Sequence, residues 1–139
     1  MKKVLITVFA IVMAIAMTAC GTQSSDLPDL SGTFQDENSG RAALSLEKTE
    51  GDNYDILIEW AQSASEQYEW RASGTFDGDK IEYTNGEKHL YEYGENGDVL
   101  KNEVVAENQK GVITVGEGLS ITWQGEEEDE QASFIQVSL

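Results

Sequence analysis

Alternation of apolar and polar residues dominates the chain from Ser31 onward. Tyr54, Ile56, Ile58 and Trp60 fall on one face of an extended segment, with Asp55 and Glu59 on the other and Leu57 interrupting the pattern. Tyr68, Trp70, Ala72, Gly74 and Phe76 repeat the arrangement against Glu69, Arg71, Ser73 and Thr75. Leu119, Ile121 and Trp123 alternate in the same way with Ser120 and Thr122. A period of two in runs rich in aromatic and β-branched residues predicts strands buried on one face. A helical period is nowhere sustained beyond the first 30 residues.

Turn signals punctuate these runs at regular spacing. Asp77-Gly78, Asn85-Gly86 and Asn96-Gly97 each separate two candidate strands, and such pairs supply the positive φ angles of tight hairpins. Further breaks fall at Asn38-Ser39-Gly40, Gly51-Asp52-Asn53, Asn108 to Gly111, Gly116-Glu117-Gly118 and Gly125 to Glu130. About ten short strands are predicted, over 32–35, 41–48, 54–60, 68–76, 80–84, 88–93, 99–106, 111–115, 119–123 and 132–137. The fold class is therefore all-β, a single antiparallel meander. Uninterrupted hairpins favour an up-and-down β-barrel, which leaves no exposed edges, over the alternative of a two-sheet sandwich.

The first 30 residues follow another pattern. Lys2 and Lys3 precede an apolar run from Val4 to Met17, and Met17-Thr18-Ala19-Cys20 closes it with the chain's only cysteine. A helix of that length spans about 21 Å, short of the roughly 30 Å hydrocarbon core, so a permanent transmembrane helix is disfavoured. The arrangement resembles the signal peptide and lipobox of bacterial lipoproteins. That resemblance implies cleavage before Cys20 and lipidation of its thiol, as by palmitate, which would also account for a lone cysteine in an exported chain. It places the protein at the cell membrane, lipid-anchored and facing the extracytoplasmic side of the envelope. Residues 1–19 are thus expected to be a signal peptide, 20–30 the lipidated cysteine and a flexible linker, and 31–139 the β domain. The linker holds the chain's one proline and would span about 18 Å as a coil, enough to lift a small domain off the head groups.

Charge narrows the partners. Loss of Lys2 and Lys3 with the leader leaves 7 basic residues against 26 acidic ones, a formal charge of −19 where the whole chain carries −17. Nucleic acid is excluded as a partner on that balance, and anionic head groups would repel the surface. A basic protein is a partner this charge would attract. The domain has no disulfide to rely on, because no cysteine follows Cys20. It is expected to be a monomer.

Two further resemblances concern shape. Gly32-Thr33-Phe34 resembles the Gly-x-aromatic first strand of lipocalin-like barrels. The stretch from Ile58-Glu59-Trp60 through Ser63-Ala64-Ser65 to Trp70 and Gly74, with Tyr83, Gly86 and Lys88, is similar to small lipoprotein domains of unknown function from gut bacteria. Neither implies a catalytic or binding residue.

Candidate chemistry is sparse. His89 is the only histidine, reads as a surface or rim residue, and leaves a nucleophilic triad a single base to draw on. No phosphate-cradling glycine loop is present. Asp36-Glu37-Asn38, Asp77-Gly78-Asp79 and Glu126 to Glu130 offer oxygen ligands of the kind calcium takes, without EF-hand spacing, and read first as solvated turns. No metal or cofactor is expected. Tyr54, Trp60, Tyr68, Trp70 and Trp123 either fill the core or line a pocket for a small apolar or sugar-like ligand. Catalytic residues are not assigned. The expected function is a membrane-anchored, non-catalytic binding or interaction module; the alternative is a carboxylate-dependent envelope hydrolase.

Overall fold

The structure is a computed structural model that describes residues 26–138. The leader, Cys20 and the first part of the linker lie outside these residues. Eight strands follow in chain order: β1 Gly32–Asp36, β2 Ala42–Lys48, β3 Asn53–Ala61, β4 Glu66–Phe76, β5 Lys80–Tyr93, β6 Val99–Val115, β7 Ile121–Gln124 and β8 Gln131–Ser138. Each pairs antiparallel with the next, and β8 returns to pair with β1, closing the ring into a barrel. That closure decides between the two expected architectures, because a sandwich would leave two separate sheets.

The alternation does what it predicts. Tyr54, Ile56, Ile58 and Trp60 stand opposite Gly74, Ala72, Trp70 and Tyr68, and this row faces the interior. Leu46, Leu44 and Ala42 continue it on β2. Phe34, Tyr54, Ile81, Ile113, Ile121 and Phe134 fill the barrel below its mouth, as side chains do in a small barrel. The packed part begins before Ser31. Leu30 is 1 % exposed, and its backbone N–H donates to the Tyr54 hydroxyl at 2.9 Å. Two isolated leucines in a polar stretch carry no period, so the end of the linker gives no sign in sequence that it docks.

Ten predicted strands become eight because two breaks are absorbed. Asn85-Gly86 is no turn, and neither residue takes the positive φ that a tight hairpin would need. Instead the Asn85 side chain bridges a gap in the β4–β5 ladder. It accepts from the Ser73 N–H at 3.1 Å and donates to the Ser73 hydroxyl at 2.9 Å, where the register slips between Arg71 and Thr75. Gly86 lies against β6 so closely that a Cβ there would meet the Gln109 carbonyl at 2.9 Å. Across from it, Asn108 takes φ 53° and turns the second predicted break into a bulge within β6. The remaining hairpin glycines behave as expected, Gly78 at φ 107° and Gly97 at φ 80°.

This merging shapes the mouth. β5 and β6 form a long ribbon of 14 and 17 residues, while β7 has only 4 and pairs with β6 over Val112–Val115. The barrel wall is therefore tall along β5 and β6 and drops at β7 beside them. The β7–β8 loop, 125–130, reaches across from the low side.

Candidate functional site

Three tryptophans meet at the mouth. Trp60 ends β3, Trp70 sits mid-β4, and Trp123 rises from β7. The Trp70 and Trp123 rings meet edge to face at 4.9 Å between centroids, with Trp60 at 6.5 Å and 6.0 Å from them. Tyr68 joins at 6.0 Å from Trp70. Four of the five aromatic residues picked out in sequence thus form one cluster. The fifth does not belong to it: Tyr54 begins β3 where Trp60 ends it, a strand length of about 20 Å away, and its hydroxyl is used by Leu30. Trp70 and Trp123 are core residues at 2 % and 1 % exposure, whereas Trp60 and Tyr68 are half-buried at the rim.

Lys88 completes the cluster and was not foreseen. It follows Gly86 on the inward face of β5, opposite Trp70. Its ammonium lies 4.4 Å from the Tyr68 ring centroid and 5.0 Å from that of Trp70, a cation–π arrangement. It also donates to the Glu130 carboxylate at 2.8 Å, with both side chains largely buried. Glu130 in turn accepts the Glu127 N–H at 3.1 Å, which folds the acidic loop over the mouth. The available signal was a charged residue on an otherwise apolar face. Glu130 was hidden in a run that reads as solvated.

Between the aromatic wall and this loop lies a depression of about 330 Å³. Trp60, Tyr68 and Trp70 line one side, Glu127, Asp129 and Glu130 the other, with Gln62 and Lys88 completing it. Among the described residues, two buried side-chain polar atoms lack a hydrogen-bond partner: Asp52 Oδ1, in the β2–β3 turn, and the indole N–H of Trp70. The contrast with Trp123 is instructive, since its N–H donates to the Tyr83 hydroxyl at 2.9 Å. Burial pushes the Tyr83 phenol up to about 12, against the lowering effect of that bond, so it stays neutral.

The acidic loops are used in turns. Asp77 accepts the N–H groups of Asp79 and Lys80, both at 2.9 Å, and Glu126 accepts that of Lys110 at 2.8 Å. Asp36 accepts from the N–H of Asn38 at 3.0 Å and of Ser39 at 3.3 Å, and from the Ser39 hydroxyl. Burial raises the Asp36 carboxyl, and these three bonds outweigh it, holding it below the ordinary value of 3.8. Its contribution to stability is complete above that value and is lost as pH falls through the lower folded one. Asp36→Asn should therefore destabilise the domain by about 1–3 kcal/mol at neutral pH and flatten the acid limb of stability. Urea midpoints from pH 7 to 3 would test this, and a variant with an unchanged acid limb would refute it. Among the described residues no group of three metal-ligating side chains converges.

His89 is more buried than a rim residue. It lies on the outer face between Glu69 and Val104, with its ring nitrogens 3.3 Å from Asn102 Oδ1 and Glu87 Oε1. Beside it Arg71 pairs with Glu69 and donates to the Tyr91 hydroxyl at 3.0 Å. Glu59, directly across from Glu69, is raised by burial and then by that like charge.

The class defined by these features is a filled, closed eight-stranded antiparallel barrel with an aromatic and acidic mouth. Compared with known protein families, curated proteins and solved structures, the chain matches none of them.

Proposed function

We propose that the chain is a lipoprotein held at the bacterial cell envelope through Cys20, and that its acidic barrel is a non-catalytic binding module with its site at the mouth. The observation that carries this reading is the depression of about 330 Å³ at the mouth, where Trp60 and Tyr68 stand across from Glu127, Asp129 and Glu130. Half-buried Trp60 supplies an apolar platform there, and strands β3 and β4 hold it beside Tyr68.

Titration of a library of sugars, amino acids and nucleosides against residues 20–139 carrying Cys20→Ser, followed by tryptophan fluorescence, tests the reading. Trp60→Ala should lose the response of any hit while its thermal melt stays cooperative. A blank library, or a hit indifferent to Trp60→Ala, would sink the pocket. A basic protein drawn by the −19 charge would bind with steep salt dependence, whereas the pocket should be nearly salt-independent. Turnover of a bound saccharide would instead favour the carboxylate-dependent hydrolase.

A further inference from the structure

We infer that two copies of the chain join edge to edge through residues 99–105 of β6, as a two-fold dimer in place of the monomer expected above. The surface lies at the hairpin end of the β5–β6 ribbon and depends on neither the pocket nor the anchor. One edge of this segment is held by β5, in unbroken register from Lys101 to Val104 with slips on either side. The other edge is open. β7 pairs with β6 only over Val112–Val115, so among the described residues no strand covers 99–105 on that side. The unpaired N–H and C=O groups of such an edge are a template for another strand. The side chains are open too. Of the six exposed large hydrophobic residues among those described, four fall here: Val99, Leu100, Val104 and Val105.

The order of residues in the segment selects a second copy as its partner. Turned antiparallel about Asn102, Val-Leu-Lys-Asn-Glu-Val-Val sets Val99 against Val105, Leu100 against Val104 and Lys101 against Glu103. Each of these pairs forms twice, and Asn102 meets its own copy, as a two-fold axis requires. Apolar residues thus meet apolar ones and each charge meets its opposite, the pairings that favour neighbouring strands. Moving the axis by one residue either way would set Lys101 on Lys101 or Glu103 on Glu103. Within one chain Lys101 lies 3.1 Å from Glu103, so the dimer closes an alternating square of two lysines and two glutamates.

Sedimentation equilibrium of residues 20–139 carrying Cys20→Ser, up to millimolar protein, reads the association. Salt at about 0.5 M screens the repulsion between two acidic bodies. A concentration-dependent dimer is expected. Lys101→Glu and Glu103→Lys, both at exposed positions, each bring like charges together twice and should weaken it at least tenfold with cooperative melts retained. An equimolar mixture of the two variants should recover the dimer, because each then faces its complement across the axis. Asn102→Cys should cross-link to its own copy under mild oxidation, whereas Ile135→Cys, exposed on β8, should not. A chain that stays monomeric at millimolar concentration overturns the inference. So does a dimer that survives either charge reversal, or a mixture that fails to recover it. If a charge variant does not fold, the cross-link decides, and an Asn102→Cys chain that forms no disulfide dimer sinks the proposal.

Discussion

Trp123→Ala is expected to destabilise the domain by about 3–5 kcal/mol, the largest effect of any single truncation at the mouth. Trp123 is 1 % exposed and packs edge to face on Trp70 and on Trp60, so its removal opens a cavity beneath the pocket. It also deprives the buried Tyr83 hydroxyl of its donor. A domain of this size is stable by about 5–15 kcal/mol in all, so the loss takes a large share of the total. Trp60→Ala, at the half-buried rim, should cost only about 1–2 kcal/mol by the area it covers. Urea denaturation midpoints at a common slope would measure both. Equal costs would mean that the rim tryptophan is as much a core residue as Trp123, and the pocket would lose its platform.

Cys20→Ser should transfer the protein from the membrane fraction to the soluble one and abolish incorporation of labelled palmitate. Acyl chains contribute about 0.8 kcal/mol per buried CH₂, and two or more of them suffice for stable attachment. Two features of the domain's surface oppose attachment without them. Outward-facing positions on β3 and β4 carry Asp55, Glu59, Glu69 and Arg71, which a lipid-facing strand would exclude. Its net negative charge repels anionic head groups. No helix among the described residues is long and apolar enough to cross a bilayer. A Cys20→Ser protein that remained fully membrane-bound would refute the anchor.

Much of the barrel was legible because period two is a local property. Tyr54 to Trp60 and Tyr68 to Phe76 alternate strongly enough to identify both strands and their inward faces. Gly78 and Gly97 turn where Asp-Gly and Asn-Gly announce turns. Asn85-Gly86 carries the same signal and is part of β5, because Asn85 finds Ser73 on the neighbouring strand and Gly86 finds the Gln109 backbone. Those partners are 12 and 23 positions away in sequence, beyond any local rule.

The site shows the same division. Sequence alone determined that Tyr54, Trp60, Tyr68, Trp70 and Trp123 point inward and that the chain is strongly acidic. It also places the single cysteine at the end of an apolar leader. Only the tertiary structure separated Tyr54 from the other four, since alternation names a face and not a height along the barrel. Barrel closure and strand register then brought Lys88 of β5 against Glu130 before β8 and left the Trp70 N–H alone beside them. Alternation is written in neighbours along the chain, whereas a binding site is written in neighbours across it.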